Sequence, residues 1–161
     1  LDFFCQNTFT PHNLEKELSS LGKLDQTELA VGRLNTFLDG VKLQFLEYPY
    51  PLLESHIQWE GMQLSSVIDI ACTKLQTVSM RGSKKDFVDI YFLLEKYSLP
   101  ELLVAAQQKY SASDYSQTHI LKSLVYFSDA EGQPMPRMHY HVKWEDIKKK
   151  MITEVKAIPI F

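Results

Sequence analysis

The apolar residues of this chain change their period once. As far as Gly61 they tend to alternate with polar ones, and from Ser65 they recur every three or four positions almost to the end. Alternation marks strands with one buried face, whereas a period near 3.6 marks helices. The pattern therefore predicts a β-rich first part, residues 1–61, and an all-helical second part, residues 62–161. That is an α+β fold class, a strand-rich part followed by a helical lobe.

Within the first part, Leu1 to Cys5 reads as a short strand whose one charge is Asp2. Thr10-Pro11 opens a helix, with Thr as N-cap and Pro at the first helical position, and the helix runs to about Leu21 before Gly22 stops it. Glu28 to Val31 and Arg33 to Leu38 are short strands. Asp39-Gly40 is a two-residue hairpin signal leading into Val41 to Tyr48, which Pro49 and Pro51 end. In that strand Val41, Leu43 and Phe45 share one face, and Lys42, Gln44 and Leu46 the other. A brief strand at His56 to Trp59 ends before Gly61.

In the second part, Ser66 to Leu94 forms two helices joined at Arg81-Gly82-Ser83. Leu99-Pro100 opens a third that reaches about Tyr110. Ser113 or Asp114 caps a fourth running to Phe127, residues 129–137 form a loop with glycine and proline, and a last helix runs from Lys143 to about Ala157. Its Lys148-Lys149-Lys150 run reads as a solvated face.

Composition narrows the picture modestly. The 161 residues are 45% hydrophobic and 23% charged, which suits a globular protein with a real core. A formal net charge of −3 supplies no general basic field, so any nucleic-acid contact must be local. The two cysteines, Cys5 and Cys72, stand far apart with no metal-ligand spacing, which suggests a reducing, cytoplasmic setting. No apolar run reaches the roughly 18 residues of a membrane span.

Candidate chemistry gathers in the central helices, where Asp69, Lys74, Arg81, Lys85, Asp86 and Asp89 accompany an apolar stripe of Val67, Ala71, Leu75 and Val78. Ser66…Asp69 and Ser83…Asp86 both fit capping boxes, so those two aspartates have a structural explanation. Asp89 has none of that kind, although an ion pair with Arg81 or Lys85 would account for it. Lys74 sits at the edge of the apolar stripe, where it either snorkels to water or points its charge into a cleft able to hold a phosphate. Asp2 is unusual in a strand and offers a hard carboxylate oxygen suited to Mg²⁺. The histidines His12, His56, His119, His139 and His141 show no ligand or triad arrangement. Tyr48, Tyr50 and Trp59 read as core aromatics, with base stacking the alternative.

These residues resemble a known family. Asp69-Ile-Ala-Cys-Thr-Lys74 followed by Arg81-Gly-Ser-Lys-Lys-Asp86-Phe-Val-Asp89-Ile-Tyr-Phe-Leu-Leu94 is similar to the central motif of the AbiEii/AbiGii nucleotidyltransferase toxins of abortive-infection and toxin–antitoxin systems. Leu1-Asp2-Phe3-Phe4 resembles the end of that family's Asp-x-Asp-Phe-Phe metal motif. Val41 to Leu46 with Tyr48 to Pro51 resembles its central strand, and Leu121 to Ala130, Pro134 to Pro136 and Trp144-Glu145 resemble its helical C-terminal part.

The resemblance implies a bacterial enzyme that moves a nucleotide from a nucleoside triphosphate to an RNA acceptor, tRNA first among candidates, with Mg²⁺, and that is countered by a cognate antitoxin. It implies Asp2 as a metal carboxylate, Lys74 as holder of the triphosphate, and Asp89 as a catalytic partner. Arg81 and Lys85 would add phosphate contacts or brace the carboxylates, with Asp69 and Asp86 supporting the motif. Two departures accompany it. The family's glycine-rich motif and first aspartate would precede Leu1, so the resemblance implies an N-terminally truncated and catalytically incomplete chain. Gln44 stands where many nucleotidyltransferases place a third carboxylate. A non-catalytic nucleotide- or RNA-binding relative, and a helical protein-interaction module, are the rival readings.

Overall fold

The computed structural model describes residues 1–113 and 115–159. It divides into two compact units, Leu1–Pro51 and Leu52–Phe161.

The first unit is a four-stranded mixed sheet with one helix. Its elements are β1 (Asp2–Cys5), α1 (Pro11–Ser19), β2 (Leu24–Ala30), β3 (Arg33–Leu38) and β4 (Val41–Glu47). The strand order is β1-β4-β3-β2, with β1 parallel to β4 and the other pairs antiparallel. The β3–β4 hairpin forms where Asp39-Gly40 predicted it. Both residues take positive φ, +47° and +82°, the conformation a two-residue hairpin of this hand requires. Strand β2 starts four residues earlier than Glu28, at Leu24, because an irregularity in the register between Asp25 and Glu28 absorbs Gln26 at φ +50°. Leu34 and Leu43 point from one face of the sheet onto Leu18 of α1, joined by Phe9, Leu14, Leu24, Leu29, Leu38 and Phe45. Phe3 stacks on Phe45 at 4.6 Å on that same face, while Tyr48 packs against Phe4 and Tyr50.

The second unit opens with a hairpin, β5 (Ile57–Trp59) and β6 (Met62–Leu64), and continues with α2 (Val67–Arg81), α3 (Lys84–Leu93), α4 (Leu99–Lys109), α5 (Gln117–Leu124), α6 (Ser128–Glu131) and α7 (Trp144–Lys156). The change of period grouped Ile57–Trp59 with the sheet, but the hairpin falls in the helical unit. Trp59 is exposed there rather than packed in a core. Helix α2 packs against α3, α4 and α5 through Ala71, Cys72, Leu75 and Val78, all buried. Phe87, Phe127 and Trp144 lock α3 to α7 as a triangle of rings 5.3–5.8 Å apart. Phe87 is fully buried, which contributes about 1.5–3 kcal/mol.

Two helix limits differ from expectation. The fourth helix is capped by Ser116, whose hydroxyl accepts the His119 N–H, and it stops at Leu124 rather than Phe127. Of the two caps expected, Ser113 lies in the preceding turn and Asp114 lies outside the described residues. Among the described residues no helix is long and apolar enough to cross a membrane.

Candidate functional site

The candidate site is built at the joint between α2 and α3. Helix α2 ends because Gly82 turns left-handed at φ +50°, and Ser83, extended, starts α3 one residue later. Lys74 and Arg81 lie seven residues apart, two turns along one face of α2, while Asp86 and Asp89 lie three apart on α3. The tight joint brings these pairs together.

Arg81 presents its guanidinium fork to Asp86, Nε donating to Oδ2 at 3.1 Å and Nη2 to Oδ1 at 3.3 Å. Lys74 Nζ lies 2.5 Å from Asp89 Oδ2 and 3.5 Å from Asp86 Oδ1. The Ser83 hydroxyl also donates to Asp86 Oδ2. Asp86 is 0% exposed. Its burial favours the neutral acid, but hydrogen bonds from Arg81 and Ser83 and the charges of Arg81 and Lys74 outweigh that and hold the carboxyl below its ordinary range.

The Ser83…Asp86 capping box expected from the sequence does not form in its usual sense. The Ser83 side chain caps no backbone N–H; the Asp86 N–H donates to the Ser83 carbonyl at 2.9 Å. The hydroxyl is turned to the carboxylate instead, because a buried anion needs donors more than the first turn needs an acceptor.

Of the Ser66…Asp69 box the serine half is present, with the Asp69 N–H donating to Ser66 Oγ at 3.1 Å. Asp69 does more than cap, however. Its carboxylate accepts from Lys109 Nζ at 2.6 Å, from the Ser66 hydroxyl, and from the Leu53 and Glu54 N–H groups. Burial again opposes its charge, and those donors together lower its pKa below the usual value. Asp69 and Lys109, 3% and 2% exposed, form an internal ion pair between α2 and α4.

The sequence-predicted residues thus sort themselves. Lys74, Arg81, Asp86 and Asp89 converge in one charged cluster, and Asp89 pairs with Lys74 rather than with Arg81 or Lys85. Asp69 belongs to a different ion pair. Lys85 is exposed and has no ion pair among the described residues. Asp2, in the first unit, stands exposed on β1 as the register partner of Gln44.

Two lysines were missed. Lys109 follows Leu99, Leu102, Leu103 and Ala106 at helical spacing, so a lysine ending an apolar stripe was the available signal. Lys84 is buried, with Nζ donating to the carbonyls of Glu131 and Gln133 at 3.1 and 2.5 Å and lying over the Trp144 ring. No local pattern marks it, since both carbonyls are far away in sequence.

Chemically, the cluster balances two cations with two carboxylates, but access to them is uneven. Asp86 is sealed, whereas Lys74 is 27% exposed and Asp89 42%. An ammonium carries three donors, and here one oxygen each of Asp89 and Asp86 lies within ion-pair distance of it. Lys74 is therefore a fixed cation at a solvent boundary, able to take an anionic oxygen.

Among the described residues no group of three His, Cys, Asp or Glu side chains is placed to hold a metal. Asp2 alone offers a carboxylate where the resemblance expects one. That fits magnesium only in its usual habit of binding through one or two carboxylates together with substrate phosphates and water.

Comparison with known proteins gives three findings. The family model described as nucleotidyl transferase AbiEii toxin, Type IV TA system, matches residues 41–159. An uncharacterized protein of Aquifex aeolicus (strain VF5) is 34% identical over 161 residues, covering 96% of this chain and 76% of the relative. The crystal structure of JHP933 from Helicobacter pylori superposes with a TM-score of 0.48 at 15% identity, covering 97% of this chain and 73% of that one.

Proposed function

Since the chain belongs to the AbiEii nucleotidyl transferase toxin family, we propose that it transfers a nucleotide from a nucleoside triphosphate to an RNA hydroxyl, with tRNA the first acceptor to test. In that reaction the acceptor oxygen bonds to the α-phosphorus, the α–β phosphoanhydride bond breaks, pyrophosphate leaves, and the acceptor proton passes to solvent or a nearby base. Little covalent chemistry falls to the protein, so positioning and charge do most of the work.

The observation that carries this reading is Lys74. Its ammonium is held by Asp89 at 2.5 Å, backed by the buried Asp86, and left partly open to solvent. In the proposed role Lys74 holds the triphosphate and Asp89 keeps it aimed. Arg81, tied to Asp86, fixes the second carboxylate so that Lys74 is not drawn inward. In the first unit Asp2 would be the magnesium ligand that the resemblance implies, and magnesium when bound would supply neutralisation of phosphate charge. The family's description as a toxin of a toxin–antitoxin system supports an antitoxin that counters this activity.

Isothermal titration of a nonhydrolysable triphosphate with Mg²⁺ tests the reading directly. Lys74→Ala should weaken binding by about tenfold or more, the loss of a charge-assisted contact of about 1.5–3 kcal/mol. Equal affinity in the variant would remove Lys74 from the site. Incubation with labelled triphosphates and total RNA tests transfer itself. Binding without labelled RNA would favour a non-catalytic relative, the reading that Gln44 beside Asp2 supports. No nucleotide-dependent rise in melting temperature would leave a protein-interaction module.

A further inference from the structure

The connection between α6 and α7 carries a pattern that the Lys74 cluster does not use. From Gly132 to Trp144 it contains no carboxylate, and Arg137, His139, His141 and Lys143 alternate with Met138, Tyr140 and Val142. Where a chain runs extended, positions two apart share a side. The four nitrogen-bearing side chains are all exposed, whereas Met138 and Val142 are half-buried. Among the described residues none of the four forms an ion pair. Tyr140 breaks the alternation, because the chain bends at His139 and Tyr140. By spacing it belongs with the inward set, yet it is 75% exposed, its ring 6.4 Å from that of Phe92 on α3.

Tyr140 lines a cleft of about 800 Å³ together with Lys143, Asp146 and, from α3 and the turn after it, Tyr91, Phe92 and Glu95. Tyr91 and Phe92 meet edge to face at 5.3 Å. Phe92 lies three residues after Asp89, one turn along the same face of α3, so the cleft adjoins the Lys74–Asp89 pair. Rings beside carboxylates suit either a cationic side chain or a nucleobase. A cation would meet Lys143 and the neighbouring Arg137 as well as Glu95 and Asp146, and the repulsion would offset the attraction. A base in a single strand uses every part: its face meets the rings, its exocyclic amine meets a carboxylate, and its phosphates meet the cations.

We propose that this cleft and the 137–143 segment form a site for single-stranded RNA. An unstacked base lies against Tyr140 and Phe92, Glu95 or Asp146 accepts from its exocyclic amine, and Arg137 and Lys143 hold the flanking phosphates. Stacking platforms set among cations are a general way of holding single strands. An ionised carboxylate accepts but cannot donate, so the site favours cytosine, adenine and guanine, which carry an exocyclic amine, over uracil, which carries none. The proposal rests on the transfer reading above and narrows its acceptor to RNA with an unpaired, amine-bearing base.

Fluorescence anisotropy of labelled oligo(C), oligo(A) and oligo(U) RNA with the full chain gives a readout independent of turnover. Oligo(C) and oligo(A) should bind about fivefold or more tighter than oligo(U). Tyr140→Ala should weaken oligo(C) binding by about tenfold, while Tyr140→Phe should retain it, because the ring face and not the hydroxyl does the stacking. Arg137→Gln and Lys143→Gln should each reduce the slope of log affinity against log salt by about 0.7, the loss of one phosphate contact to a single strand. Equal affinity for the three oligonucleotides, wild-type affinity in Tyr140→Ala, or an unchanged salt slope in both glutamine variants would each overturn the proposal. So would a Tyr140→Ala variant that loses affinity for the nonhydrolysable triphosphate and not for RNA, which would make the cleft the nucleotide's own base site. No RNA binding by the wild type would assign the segment to a protein partner instead. Failure of the nucleotide reading is separable, since it shows as unchanged triphosphate affinity in Lys74→Ala while RNA affinity still follows residue 140.

Discussion

Asp69 and Lys109 show how a single residue can be read correctly and incompletely. Capping explains the Asp69 backbone and Ser66, but the side chain's main partner is a lysine forty residues away, 2.6 Å distant and equally buried. Removing one partner of such a pair strands the other, at a cost of about 3–5 kcal/mol, whereas removing both leaves nothing to strand. Lys109→Met should therefore lower the unfolding free energy by about 3 kcal/mol in urea. Asp69→Asn combined with Lys109→Met should cost clearly less than the sum of the two single changes, and an additive result would show no coupling. The pair also predicts a pH dependence. The folded-state carboxyls of Asp69 and Asp86 lie below their ordinary value, so at intermediate acidity the unfolded chain binds more protons. Their stabilisation is complete above about pH 4, the unfolded value, and is lost as pH falls through the lower folded values. Between about pH 4 and pH 2 the Asp69→Asn/Lys109→Met variant should lose less stability than wild type, since Asp69 no longer contributes.

At the scale of elements, the α2–α3 joint turns on Gly82. A methyl group there would meet nothing closer than the Val78 carbonyl at 3.7 Å and the Phe87 ring at 3.9 Å, so space is not the constraint. The constraint is φ +50°, which costs an L-residue about 1–2 kcal/mol. Gly82→Ala should lose about that much in chemical denaturation, and Gly82→Asn less, because asparagine tolerates this region; equal losses would point to packing instead. The joint was legible in the sequence because its signals are local: a serine cap at Ser66, a glycine stop at Gly82, a serine start at Ser83. The β3–β4 hairpin was legible for the same reason. Strand β6 was not, since Met62-Gln63-Leu64 is too short to show alternation, although Glu60-Gly61 adopts the same positive φ pair as Asp39-Gly40. In the charged cluster, the awkward placement of Lys74 could be read from the helical wheel. The burial of Asp86 and the choice of Asp89 as partner could not, because both depend on how α3 folds back on α2.

At the scale of the whole molecule, the two units differ in how much core each owns. Leu1–Pro51 buries only Leu18, Leu34 and Leu43 among its apolar side chains, helped by half-buried neighbours. A chain that short hides too little surface to offset its conformational entropy comfortably. The second unit has its own buried set, including Leu75, Phe87, Ile90, Leu99, Leu102, Leu124, Ile147 and Met151, closed by the Asp69–Lys109 pair and the Lys84 contacts. Every member of the Lys74 cluster lies inside this unit, so the candidate cation site for phosphate does not depend on the sheet for its internal geometry. A fragment of residues 52–161 should accordingly give a helical circular dichroism spectrum and a single cooperative urea transition, while residues 1–51 alone should not unfold cooperatively. If the fragment does fold, Lys74→Ala within it should leave the transition nearly unchanged, because the pair it breaks is partly solvated and worth about 1 kcal/mol or less. Asp86→Ala in the same fragment should shift the transition far more, since it strips the buried anion to which Arg81, Ser83 and Lys74 all turn. A fragment without a cooperative transition would mean that the helical unit draws its stability from residues outside 52–161, and that its charged cluster is not self-supporting.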